Sequence, residues 1–388
     1  MKLPFTPPPT GFDAEAISDT IERALKAAGL DTRTGPVRDA TETIRRALAG
    51  TGGAGQEGRE ASAEAPIDVS ARWVDQAFEA PDEAAPPTPD DIEQGRFDWH
   101  RHQGPSGSRR YRLYVPAGLS SAAPLVVMLH GCTQSPDDFA LGTQMNRLAD
   151  VHGVVVAYPE QPAHANSSNC WNWFLSKDQQ RDGGEPSIIA GIAREVTARH
   201  GIDADRVFVA GLSAGAAMAL VMGETHPDVF AAVGVHSGLP FASAHDVPSA
   251  LKAMKGGRGR GPFPAASGTA RTSIQPMPVI VFHGDRDHTV QATNAAEILR
   301  QAVQAHAPRG LSVDVVTSAA GSAAERGHTR TLHRDAQGRI WVESWTVHGA
   351  GHAWSGGDAR GSFTDPRGPD ASGEMLRFFL SHSSKRED

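Results

Sequence analysis

The chain has 388 residues, of which 21% are charged and 39% hydrophobic, with a formal net charge of -8. That is an ordinary globular balance, enough for one large α/β domain with an appendage or for two domains. The acidic charge supplies no field for phosphates and argues against a nucleic-acid partner, and no apolar run approaches the roughly 20 residues of a membrane span.

Residues 1–94 read differently from the rest. Met1 to Pro9 has no apolar stretch of the kind a secretory signal needs, so the expected location is cytoplasmic, with export left open. Ile17, Ile21 and Leu25 repeat at i, i+4 from Ala14 to Ala28, and the run stops at Gly29. Val37, Thr41, Ile44 and Leu48 repeat from Val37 to Ala49, and that run stops at Gly50. Both predict short amphipathic helices with glycine stops. Residues 50–66 and 79–91, built from Gly, Ala, Glu, Ser, Pro and Asp, predict flexible linkers. Such an arm serves either to bind a partner or to pack on its own domain.

A globular domain is expected over 95–388. Arg110–Pro116 alternates like an early antiparallel strand. Pro124–Leu129 and Gly153–Tyr158 are continuously apolar, as in strands buried on both faces. Pro136–Asp150 has helical spacing, and a second helix is expected over Ser187–His200. Strands follow at Arg206–Ala210, Phe230–Val235 and Pro278–Phe282, then a helix over Thr293–Ala305, a strand over Arg339–Val347 and a closing helix over Met375–Ser381. Apolar strands alternating with helices predict a doubly wound, mostly parallel sheet with ligands at the strands' carboxyl ends. Leu239–Met277 is a long insertion between two strands and reads as a lid or as a surface loop.

Chemistry concentrates at Gly211-Leu212-Ser213-Ala214-Gly215. A buried strand precedes it and helix formers follow, which is the setting a G-x-S-x-G nucleophile turn requires. The turn lifts the Ser213 hydroxyl to a helix N-terminus, where amide donors favour developing negative charge. Such a serine needs a base and an orienting acid. Asp287, in the turn after strand 278–282, is the expected acid, in preference to Asp285. His352, in the glycine-rich loop after the last strand, is the expected base, and His348 reads as structural. Oxyanion donors are expected from the amides of Cys132 and Ala214, with Gly131 letting the backbone approach substrate. Trp171, Trp173 and Trp354 are candidates for the substrate wall. No His, Cys or carboxylate spacing suits a metal. Cys132 and Cys170, the two cysteines of the chain, are expected as buried thiols, with a single bridge between them as the alternative.

Four segments in order, Leu129-His130-Gly131-Cys132-Thr133-Gln134, Asn169-Cys170-Trp171-Asn172-Trp173-Phe174, the Ser213 motif, and Gly351-His352-Ala353-Trp354-Ser355-Gly356-Gly357, together resemble the polyhydroxybutyrate depolymerase family of esterases, which is related to feruloyl and acetylxylan esterases. The resemblance covers about residues 95–382. It implies an α/β-hydrolase fold, a Ser213/Asp287/His352 triad, no cofactor, and a polyester or oligoester substrate. A short-chain acyl or plant-wall ester is the rival substrate. A non-catalytic granule- or partner-binding protein is the rival class. Oligomeric state is not legible.

Overall fold

In a computed structural model of the chain, the described residues are 95–256, 276–322 and 324–382. The expected N-terminal helices and linkers, and the middle of the 239–277 insertion, lie outside them. The description opens on a hairpin, β1 (Arg96–Gly104) and β2 (Gly107–Val115), paired antiparallel with Gly104 opposite Gly107. The sequence reading placed β2 and missed β1, whose residues RFDWHRHQG are polar apart from Phe97 and Trp99 on one face.

Five strands then build the centre: β3 (Leu125–Leu129), β4 (Val155–Pro159), β5 (Val207–Leu212), β6 (Ala232–His236) and β7 (Val279–Gly284), every residue buried. Continuous apolar sequence is what a strand covered on both faces requires. β8 (Ser312–Ser318), β9 (His328–Arg334) and β10 (Ile340–Val347) complete a ten-stranded sheet in the order β1-β2-β4-β3-β5-β6-β7-β10-β9-β8. Strands β4, β3, β5, β6, β7 and β10 run parallel, and the outer pairs are antiparallel.

Alternate residues along β3 divide between two cores. Leu125, Val127 and Leu129 pack toward α3 (Gly184–His200), α4 (Ala214–Thr225), α5 (Val247–Met254) and α6 (Thr293–Ala305). Val126 and Met128 pack toward α1 (Pro136–Thr143), α2 (Met145–His152) and α7 (Ala371–Leu380). The single helix expected over 136–150 is thus two. Gln144, at φ 55°, ends α1 and starts α2, a left-handed break with neither glycine nor proline to announce it. Within the insertion, Asp246 caps α5 by accepting the Ser249 amide at 2.8 Å.

Three buried histidines make the fold acid-sensitive. Burial is the leading cause that lowers the pKa of His226 to about 4, His236 to about 3 and His306 to about 4. In the unfolded chain each would protonate near pH 6.5. The unfolded state therefore takes up protons that the native state refuses. Stability is full above that value and falls as pH drops toward the folded values. Urea midpoints measured from pH 7.5 to 4.5 are expected to show a loss on the order of several kcal/mol. A flat profile over that range would exclude neutral burial of these rings.

Candidate active site

The parallel strands bring their carboxyl ends to one edge, and the chemistry collects there. β5 ends in a turn whose third residue, Ser213, takes φ 58° and ψ -118°, an arrangement that costs a non-glycine residue about 1–3 kcal/mol. Its amide donates to the His236 carbonyl at 2.9 Å, and its own carbonyl accepts the Ala217 amide at 3.0 Å. Gly215 lacks a Cβ because one would lie 2.0 Å from the Leu129 carbonyl oxygen. The start of α4 therefore crosses directly over the end of β3, and Ser213 stands at the helix N-terminus.

Asp287 follows β7. One carboxylate oxygen accepts the amides of Thr289 and Val290, both at 2.9 Å, and the other meets His352 Nδ1 at 2.7 Å. With the carboxylate as acceptor, His352 carries its proton on Nδ1 and leaves Nε2 free to receive one. Burial alone would raise the pKa of Asp287. The hydrogen bond and charge of His352, with the Val290 amide, outweigh it and hold the carboxyl below its ordinary value. Asp285 instead accepts the Gly349 amide at 2.7 Å, which anchors the loop that carries His352. His348 bonds Thr329 at 3.0 Å, outside this pair.

The structure thus joins Asp287 to His352. No hydrogen bond links the Ser213 hydroxyl to His352 among the described residues; hydrogen bonds between a nucleophile and its base often form only once substrate binds. What ties the two loops is His236, which the sequence reading missed. Its carbonyl takes the Ser213 amide, its Nε2 accepts the Ser355 amide at 3.0 Å, and its ring stacks on Trp354 at 5.1 Å between centroids. A histidine ending a buried strand at the carboxyl edge was the available signal.

The loop after β3 is held on every side except at the amide of interest. The Gly131 amide donates to Gln134 at 2.9 Å, and the Thr133 amide to Ser168 at 2.7 Å. A Cβ on Gly131 would come 3.0 Å from the Gln134 side chain and 3.5 Å from the Leu212 carbonyl, so protein fills the space first assigned to substrate. Among the described residues neither the Cys132 amide nor the Ala214 amide has an acceptor.

Cys132 and Cys170 form a disulfide, which corrects the expectation of two thiols. Their Cα atoms lie 4.2 Å apart, because Asn169-Cys170 folds back against the Cys132 turn. The bridge closes a loop of 38 residues. Removing it with C132A/C170A is expected to cost about 2–4 kcal/mol and to lower the melting temperature by about 5–15 °C. Unchanged melting would show that the loop closure carries no stability.

The tryptophan assignments also change. Trp354 is buried; it packs edge-on to Phe139 and donates to Ser372 at 3.0 Å, so it belongs to the core. Trp171 is fully buried, donating to the His130 carbonyl at 3.1 Å, and Trp173 is buried in the same core. Phe174, partly buried, is the outermost aromatic of that segment. A polar cleft of about 420 Å³, lined by Arg109, Gln134, Gln161, His164 and Asn169 among others, borders the loop after β3. Among the described residues no three His, Cys, Asp or Glu side chains could hold a metal, and no helix is long and apolar enough to cross a membrane.

Poly(3-hydroxyalkanoate) depolymerase C of Paucimonas lemoignei is 35% identical over 252 residues, covering 63% of this chain and 58% of that protein. Probable acetylxylan esterase A of Aspergillus flavus is 32% identical over 213 residues, covering 51% of this chain and 66% of that protein. The chain therefore spans less than two thirds of the length of either relative. The acetyl xylan esterase structure from Aspergillus awamori superposes with a TM-score of 0.55 at 22% identity, over 74% of this chain and 100% of that one. That likeness shows an α/β-hydrolase fold. The model of the family described as Esterase PHB depolymerase matches residues 109–326, more than half of the 388. The chain belongs to the PHB depolymerase esterase family.

Proposed function

We propose that this protein is a serine esterase that cleaves 3-hydroxyalkanoate polyesters or oligoesters through an acyl-enzyme. The observation that carries the reading is the His352–Asp287 pair, held at 2.7 Å, on the loops that follow β10 and β7 at the same carboxyl edge of the sheet as the Ser213 turn after β5. In this mechanism His352 Nε2 takes the Ser213 proton as the oxygen attacks the ester carbonyl. Asp287 keeps the imidazole in that tautomer and stabilises its positive charge. The amides of Cys132 and Ala214 receive the oxyanion. Collapse expels the alcohol, protonated by His352, and water then releases the acid by the same steps. No cofactor enters.

The polyester substrate rests on the family and on the name of the Paucimonas lemoignei relative. A second reading, a carbohydrate ester, rests on the acetylxylan esterase relative and on the polar cleft beside the loop after β3. A disulfide at the site favours folding in an oxidising compartment over the cytoplasmic location expected from residues 1–9. The test is a panel of amorphous polyhydroxybutyrate, the hydroxybutyrate dimer and acetylated xylan, run with wild type and Ser213→Ala. Release of 3-hydroxybutyrate in preference to acetate supports the polyester reading, and the reverse preference replaces it with the carbohydrate one. No Ser213-dependent turnover on any of the three would favour a binding role.

A further inference from the structure

The loop that carries the Cys132 amide has no strand or helix of its own to fix it. Its support comes from a carboxylate more than fifty residues away. Glu185 opens α3 and is buried. It is surrounded by donors. Gln161 Nε2 reaches its Oε1 at 2.5 Å and Asn172 Nδ2 the same oxygen at 2.7 Å. The Asn172 amide reaches Oε2 at 2.7 Å, and the Arg109 guanidinium stands 3.7 Å from Oε1. Burial raises the pKa of this carboxyl and the nearby charge of Asp178 raises it further, while the Asn172 and Gln161 donors oppose both.

Two limbs run from Glu185 to the loop. In the first, Gln161 donates its backbone amide to His130 Nε2 at 3.1 Å. An imidazole that accepts at Nε2 carries its proton on Nδ1, which meets the Gly131 carbonyl at 2.8 Å. That carbonyl belongs to the same peptide group as the Cys132 N–H. Fixing one end of a planar amide aims the other. In the second limb, Asn172 is followed back along the chain by Trp171, bonded to the His130 carbonyl, and by Cys170, bridged to Cys132. The Glu185 side chain is itself set by its backbone: its amide donates to Asp178 at 2.8 Å. Gly184, at φ 55°, makes this approach possible, since a Cβ there would lie 1.9 Å from the Asp178 oxygen.

We propose that Glu185 is a positioning residue that aims the Cys132 amide at the oxyanion, acting through Gln161 and His130 on one side and the Asn172–Cys170 segment on the other. The inference rests on the esterase reading above. A glutamine at 185 would present an NH2 group to neighbours that are all donors, so the packing is kept while at least one link is lost.

The test compares wild type, Glu185→Gln and Gln161→Met on p-nitrophenyl butyrate, with affinity for a trifluoromethyl ketone whose hydrate-like adduct bears the oxyanion. Glu185→Gln is expected to lower kcat about 10- to 100-fold, less than the roughly 10²- to 10³-fold lost when an oxyanion donor is removed outright, since the donor is misaimed rather than deleted. KM is expected to change less than about threefold, with ketone affinity falling in step with kcat/KM. Gln161→Met, which removes the side-chain bonds to Glu185 and to the Cys170 carbonyl while keeping the backbone amide on His130, is expected to lose about three- to tenfold by the same criteria. Amide exchange is expected to quicken in residues 130–135 and 161–172 and nowhere else. A purely structural role would quicken exchange throughout and leave kcat and ketone affinity unchanged in the folded fraction, which would overturn the proposal. If Glu185→Gln fails to fold, wild-type kcat and ketone affinity in Gln161→Met would overturn it. A wild type that is inert toward esters and unlabelled at Ser213 by a fluorophosphonate would remove the esterase reading and this inference with it. An active wild type with an unaffected Glu185→Gln removes this inference alone.

Discussion

Ser213→Ala is expected to lower kcat on p-nitrophenyl butyrate on the order of 10⁶-fold, with melting unchanged within about 1 kcal/mol. The reasoning is specific to the site. The hydroxyl is the one atom group lost, and alanine meets the same backbone demand at φ 58° as serine does. The amides of Cys132 and Ala214 and the His352–Asp287 pair remain. Any residual rate then measures what those groups achieve with water as nucleophile. Burst-phase release of p-nitrophenol by wild type, absent from the variant, would identify the acyl-enzyme step. Equal turnover by the two proteins would remove Ser213 from the mechanism and the proposed function with it.

Asp287→Asn is expected to cost about 10⁴-fold in kcat, for a different reason. Thr289 and Val290 both donate to one oxygen of the carboxylate at 2.9 Å. Asparagine keeps those bonds by placing its carbonyl there. Its NH2 group then faces His352 Nδ1, where the carboxylate oxygen accepted at 2.7 Å. Two donors cannot share that contact, so the imidazole moves its proton to Nε2. The nitrogen that should take the Ser213 proton is now protonated, and the charge that would stabilise the imidazolium is gone. KM on the same ester is expected to hold within a few-fold, since Asp287 is buried and the hydrogen bonds of its carboxylate go to His352 and the Thr289 and Val290 amides. Asp285→Asn is the control, because Asp285 accepts the Gly349 amide and has no bond to His352. A loss of less than about tenfold is expected there. If Asp285→Asn proved the more damaging, the orienting acid would be misassigned.

Much of the centre was legible because burial on two faces leaves a plain signature. Strands such as Leu125–Leu129 and Val207–Leu212 are apolar at every position, and the two glycines around Ser213 announced a turn that no side chain fits. The Asp287 turn was legible from its place after a buried strand. The outer strands were not. β1 and β8 are largely exposed, and their alternation, Phe97 with Trp99 and Val313 with Val315, is too short to mark a strand. The break at Gln144 was hidden because a left-handed residue of that type has no sequence signal. Trp171 and Trp354 could be placed beside the site but not oriented, since proximity in sequence to Cys170 and His352 does not fix which way an indole turns. The bridge between Cys132 and Cys170, and the grip of Glu185 on Gln161 and Asn172, join segments whose meeting depends on the folded loops.

The conformation of Ser213 has a consequence for how this chain can change. Glycine would occupy that spot at ease, and the relief is worth roughly 1 kcal/mol. The residue to which the proposed function assigns turnover is therefore one the backbone would rather exchange. Selection for heat resistance alone would drift toward a sturdier, inert variant, and only a screen that also demands product would keep the serine in place.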